Sequence, residues 1–121
     1  MNIQYVDEYL LSKQGVLLEY NSELNVYRYL ISHRCFAIEM IDSSQRAILL
    51  LKLDPKLTQH IRFLYPEMKQ DYYMEKIHWN MIDCLSEQIS DEIISTWIDM
   101  SYSLAYKTLT NSERRKVDES Q

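Results

Sequence analysis

Three histidines, two cysteines and a pair of adjacent serines are the side chains here that could serve as bases, ligands or nucleophiles. His33, His60 and His78 share no helical turn or strand pair at ligand spacing. Glu75-Lys76-Ile77-His78 spells a Glu-x-x-His, but di-iron chemistry needs a second copy on a facing helix, and this single one runs into a strand. His78 beside Trp79 reads as a structural hydrogen-bonding residue, and His60 as a solvated one. Cys35 and Cys84 are too few for a disulfide framework and lie outside any C-x-x-C spacing, so both read as small buried apolar residues. Ser43-Ser44 has no His or Lys close in sequence to act as its base. Asp91-Glu92 sits at a helix start, where the dipole accounts for it. The chain therefore reads as non-enzymatic, with no cofactor and no metal.

Tyrosine is the remaining chemical signal: ten residues against two Trp and two Phe. Tyr27 and Tyr29 alternate onto one strand face, and Tyr72-Tyr73 precedes the His78-Trp79 strand. Such residues serve either as half-buried rim contacts with wet hydroxyls or as an aromatic binding surface. Arg28, Arg34, Lys69 and Lys76 interleave with them, but so do Glu39, Glu67, Asp71 and Glu75. Net charge is -5, so the basic footprint of a nucleic-acid binder is absent on average and only a local patch is left open. A single Gly excludes Gly-rich phosphate loops.

These residues must be held by a single domain, the natural reading of 121 residues. Ile3, Val6 and Leu10 recur at helical spacing and Gly15 stops that helix. From Val16 to Leu53 the period changes to two, broken by Ser32-His33 and Asp42-Ser43-Ser44-Gln45. This predicts an antiparallel meander with one covered face, placing Phe36, Ile38 and Met40 together and Ala47, Leu49, Leu51 and Leu53 together. Arg28, Arg46 and Lys52 point outward. Asp54-Pro55 starts a second helix, as N-cap and first helical residue, with Leu57, Ile61 and Leu64 inward and Tyr65-Pro66 at its end. A strand follows over Ile77–Ile82, then a helix from Ser90 with Ile94, Ile98, Ser101 and Leu104 on its stripe. Residues 1–110 form the predicted domain. Residues 111–121 read as a flexible polar tail with too little apolar area to fold on its own. No signal peptide and no run of about 18 apolar residues is visible, which predicts a cytoplasmic protein without membrane contact. The order of elements predicts a two-layer α+β domain, an antiparallel sheet with helices on one face.

Leu51-Lys52-Leu53-Asp54-Pro55-Lys56-Leu57, Leu64-Tyr65-Pro66 and Tyr73-Met74-Glu75-Lys76-Ile77-His78-Trp79-Asn80 resemble the MmcQ/YjbR family of small bacterial proteins. Leu10–Val16, Ser101-Tyr102 and Lys107-Thr108-Leu109 extend that likeness over nearly the whole chain. The resemblance implies the order α-β(3)-α-β(2)-α, similar in plan to type III secretion chaperones, and a label of DNA binding that rests on fold analogy. Glu75 and Ile77 stand where the family usually has Asn and Lys, which removes a neutral donor and a cation. Two expectations follow. One is DNA binding, with Arg28, Arg34, Arg46, Lys69 and Lys76 on phosphates and Tyr73, His78 and Trp79 alongside. The other is a protein partner, a peptide or a second copy on an open, Tyr-rich sheet face.

Overall fold

The computed structural model describes residues 3–41, 47–64, 69–70, 79–83 and 89–120, apart from the side chains of His60, Lys69, Gln70 and Asp83. Apolar residues four apart put Val6 and Leu10 on the buried side of α1 (Ile3–Ser12), which Gly15 ends with a left-handed φ of 73°. The period of two then builds β1 (Val16–Asn21), β2 (Val26–Ile31), β3 (Arg34–Ile41) and β4 (Ala47–Lys52). After Asp54, whose carboxylate accepts from the Lys56 amide at 2.9 Å, comes α2 (Pro55–Leu64). The short β5 (Lys69–Gln70) and β6 (Trp79–Asp83) follow. The Ser90 hydroxyl accepts from the Ile93 amide and opens α3 (Asp91–Lys107), and α4 (Asn111–Glu119) closes the described chain.

The six strands form one antiparallel sheet in the order β1-β2-β3-β4-β6-β5. The expected α+β plan holds, helices packing on the sheet, although four strands rather than three precede α2. On the helix face, Tyr29, Ile31, Ala37, Leu49, Leu51 and Ile82 pack under Val6 and Leu10 of α1, Ile61 of α2, and Ile94, Trp97 and Ile98 of α3.

The sequence reading departs from the structure at four places. The first is β3. Tyr29 pairs with Ala37 but Leu30 with Cys35, so Phe36 is the extra residue of a β-bulge. The bulge turns Phe36 and Ala37 both toward the helices, while Ile38 and Met40 face the reverse side, so the expected Phe36–Ile38–Met40 face is split. The freed Phe36 carbonyl accepts from the buried Ser101 hydroxyl at 2.6 Å, and its ring meets Tyr102 edge-on at 5.6 Å.

The second departure is the reverse face, which is not open at its centre. Val26, Ile38, Ile48, Leu50 and Trp79 are buried there as a smaller cluster. Third, Leu64 is exposed; Ile61 and Leu57 face the core as expected, and Thr58 is buried beside them. Fourth, residues 111–119 are a docked helix rather than a polar tail. Thr110 and Glu113 form a reciprocal capping box, and Val117 inserts beside Gly15. The Gln14 amide donates to the carbonyls of Asp118 and Ser120, and Arg114 donates to those of Tyr106 and Lys107. A segment almost without apolar residues is thus held by one buried methyl pair and polar contacts to its neighbours. No helix among the described residues is long and apolar enough to cross a membrane.

Candidate functional site

The first hairpin builds an exposed apolar surface. β1 is the end strand of the sheet and pairs only with β2 among the described strands. Its neighbours in register are Val16↔Ile31, Leu18↔Tyr29 and Tyr20↔Tyr27 on the helix face, with Glu19↔Arg28 on the reverse face. The connecting loop is locally determined. The Asn21 carboxamide oxygen accepts from the amides of Glu23 and Leu24, and Asn25 takes a left-handed φ of 53°. The Tyr20 hydroxyl donates to the Asn25 side chain at 2.8 Å, and the Tyr20 and Tyr27 rings lie 4.8 Å apart. Leu17, Leu18, Tyr20, Leu24 and Tyr27 are left 62, 46, 49, 70 and 45% exposed. Concentrated on one edge strand and its hairpin, they form the kind of patch that marks a contact surface, next to main-chain groups still able to pair.

The tyrosines of α1 and α3 are structural. Tyr5 shares a short hydrogen bond of 2.5 Å with Ser95, and Tyr9 donates to Asp99 at 2.6 Å. Lys13 donates to the same Asp99 oxygen at 2.6 Å and lies over the rings of Tyr9 and Tyr102. Tyr102 donates to the Gln14 carbonyl. Together they fasten α1 to α3. The hydrogen bond to Asp99 raises Tyr9 to about 12. Against desolvation, the largest single influence, the hydrogen bonds and charge of Lys13 and Tyr9 together hold the Asp99 carboxyl below its ordinary range.

Two further features have chemical character. Between α2 and α3 lies an open groove of about 360 Å³, with Leu57, Met100 and Leu104 as its apolar lining and Asp54, Asp99 and Lys107 around it. Beneath α1, the Tyr29 hydroxyl faces Glu39 at 3.2 Å and Asp7 at 3.5 Å. Burial first, and the neighbouring Asp7 carboxyl second, push Glu39 up to about 8. Burial likewise raises Tyr29 far above its ordinary value. At about 8, Glu39 keeps its proton at neutral pH. Among the described residues no group of three or more His, Cys, Asp or Glu side chains is arranged for a metal ion.

Of the contact residues singled out in the sequence, Arg28, Arg34 and Trp79 fall among the described side chains. Arg28, on the reverse face, is ion-paired with Glu19 at 2.7 Å. Arg34 is exposed at the start of β3, with the Glu113 carboxylate within its field. Trp79 is buried in the reverse-face cluster. Arg46, Tyr73, Lys76 and His78, like Asp42–Gln45, Tyr65-Pro66 and Cys84, lie outside the described residues, as does the side chain of Lys69. Cys35 is a free, partly buried thiol that donates to the Ala37 carbonyl, and burial pushes it up despite the nearby Arg28. Lys52 shares the reverse face with Arg28, as its side of the alternation requires. The hairpin patch itself was missed by reading alternation alone. Its signal is Val16-Leu17-Leu18, a run that does not alternate, in the first strand of a meander.

The chain resembles known proteins in two ways. The family model described as YjbR matches residues 11–104. A Deinococcus radiodurans crystal structure assigned to the domain family DUF419 superposes with a TM-score of 0.82 at 20% identity, covering 97% of this chain and 88% of that one. A Pseudomonas syringae protein superposes with a TM-score of 0.72 at 21% identity in its crystal structure, covering 87% of this chain and 99% of that one. Its solution structure gives 0.69 at 20%, covering 87% and 93%. At these identities the likeness is one of fold. No curated protein gives a significant match.

Proposed function

The chain belongs to the YjbR family, and on that premise we propose that it is a non-enzymatic polypeptide-interaction module whose β1 edge receives an added strand. The observation that carries this reading is the exposed Leu17–Tyr20 stretch on a sheet edge that no other described strand pairs, with Leu24 and Tyr27 beside it. Strand addition draws its affinity from main-chain hydrogen bonds and its selectivity from alternate side chains. Both are available here: outward main-chain groups at alternate residues of the six-residue β1, with Leu18 and Tyr20 on one face and Leu17 on the other.

DNA binding, the reading attached to the family by fold analogy, draws less support. Arg28 is already neutralised by Glu19, Arg34 has Glu113 nearby, and Trp79 is buried rather than offered to a base. A net charge of -5 adds long-range repulsion from phosphates.

Anisotropy titrations separate the two. A labelled peptide of the β1 sequence, flanked by solubilising lysines, is expected to bind saturably to the wild type and to lose that binding in Leu18→Lys. A labelled 20-base-pair duplex is expected to bind no tighter than about 10⁻⁴ M at low salt. Tight, salt-sensitive duplex binding with no peptide binding would overturn the proposal.

A further inference from the structure

We propose that the strand received at the β1 edge is β1 of a second copy, so that the module works as a symmetric dimer with one continuous sheet; this rests on the interaction reading above and names its partner. The argument is one of register, charge and area. A two-fold axis perpendicular to the sheet pairs β1 with itself antiparallel and keeps both helix layers on the same side. Residues facing one another must then share a face, so the centre of pairing is a single residue opposite its own copy. Centring on Glu19 would set two carboxylates against each other. Centring on Leu18 instead sets Leu18 against Leu18, Val16 against Tyr20, and Leu17 against Glu19.

In that register the helix face is apolar throughout, since Val16, Leu18 and Tyr20 lie on it. On the reverse face each Glu19 keeps its own Arg28 at 2.7 Å, so the seam carries no unneutralised charge. The area is sufficient. At about 200 Å² per large side chain, the exposed parts of Leu17, Leu18, Tyr20, Leu24 and Tyr27 amount to roughly 550 Å² per copy. A pair that covered all of it would reach about 1,100 Å² before main chain is counted, just past the ~1,000 Å² that separates specific interfaces from incidental contacts. An interface at that lower size limit belongs with reversible association rather than a permanent dimer.

Sedimentation equilibrium across about 1–500 µM tests this, with Leu18→Lys and the added-cysteine variants Leu18→Cys and Glu19→Cys alongside. The wild type is expected to move from 14.6 kDa to twice that mass. Leu18→Lys should weaken association at least about tenfold, a loss of about 1.4 kcal/mol. Added salt should leave the wild-type dimer intact or tighten it, because two acidic copies repel. Under mild oxidation Leu18→Cys should cross-link across the axis at least about tenfold faster than Glu19→Cys, whose copies sit diagonally; the wild type controls for Cys35 and Cys84. A strict monomer that still binds the β1 peptide would overturn the dimer and leave the interaction module standing. A monomer that binds no peptide would overturn both. A dimer indifferent to Leu18→Lys, or one that cross-links better through position 19, would overturn the register and with it the proposal.

Discussion

Replacing Glu39 by Gln separates a proton held by the fold from ordinary surface titration. Glu39 sits under α1 beside Asp7 and the Tyr29 hydroxyl, and Asp7 and Tyr29 are the polar side chains that face it. Burial and the Asp7 carboxyl move it from an ordinary 4.5 to about 8 in the folded protein. Between those two values the native state keeps the proton and the unfolded state has released it. Stability therefore falls as pH rises through that window; it is complete below about 4.5, and the loss is finished above about 8. Converted in full at about 1.4 kcal/mol per pH unit, the loss would approach about 5 kcal/mol. The carboxyl retains contact with water, so screening reduces the expected loss to about 2 kcal/mol. Glu39→Gln keeps the shape, cannot ionise, and abolishes this component. Urea unfolding followed by Trp79 and Trp97 fluorescence at pH 5 to 9 reads it. The variant should match the wild type near pH 5 and exceed it by about 2 kcal/mol at pH 9. Parallel curves for the two proteins, or a gap that closes as pH rises, would refute the reasoning. Asp7→Asn should flatten the wild-type slope in the same direction.

The remaining two predictions probe the joints of the fold. Gly15→Ala should cost about 1–3 kcal/mol in thermal unfolding. It would place a Cβ at φ 73°, 3.0 Å from Val117 Cγ1 and 3.2 Å from its Cα. Ser101→Ala should cost about 1–3 kcal/mol, since it leaves the buried Phe36 carbonyl without its 2.6 Å donor. Substituting the neighbouring exposed Ser103 should leave stability within about 0.5 kcal/mol of the wild type.

Elements with strong local punctuation were readable from sequence. Asp54-Pro55 and Ser90-Asp91-Glu92 start helices where their chemistry says they should, and Gly15 stops one. The meander was readable from its alternation, and so was the helix-facing set Leu49, Leu51 and Leu53. The bulge was not, because an extra residue within a strand leaves no compositional mark and becomes evident only when the partner register is known. The reverse-face cluster had a trace in the unbroken run Ile48-Leu49-Leu50-Leu51, the pattern of a strand buried on both sides. α4 was hidden by its polarity, although Thr110-x-x-Glu113 is a capping-box signature. The candidate site was the least legible part. Basic and aromatic residues drew attention by type, whereas the hairpin patch depends on β1 being the last strand, a property of strand order rather than of composition.

The bulge in β3 bears on how this sheet tolerates changes of length. Cys35 and Ala37, on either side of Phe36, already point to opposite faces and pair with consecutive residues of β2. A chain lacking position 36 would keep every remaining side chain on its present side, giving up one aromatic ring and the carbonyl that Ser101 holds. A one-residue deletion at this point leaves the rest of β3 in register with its neighbours, whereas the same deletion elsewhere in β3 would turn the strand inside out.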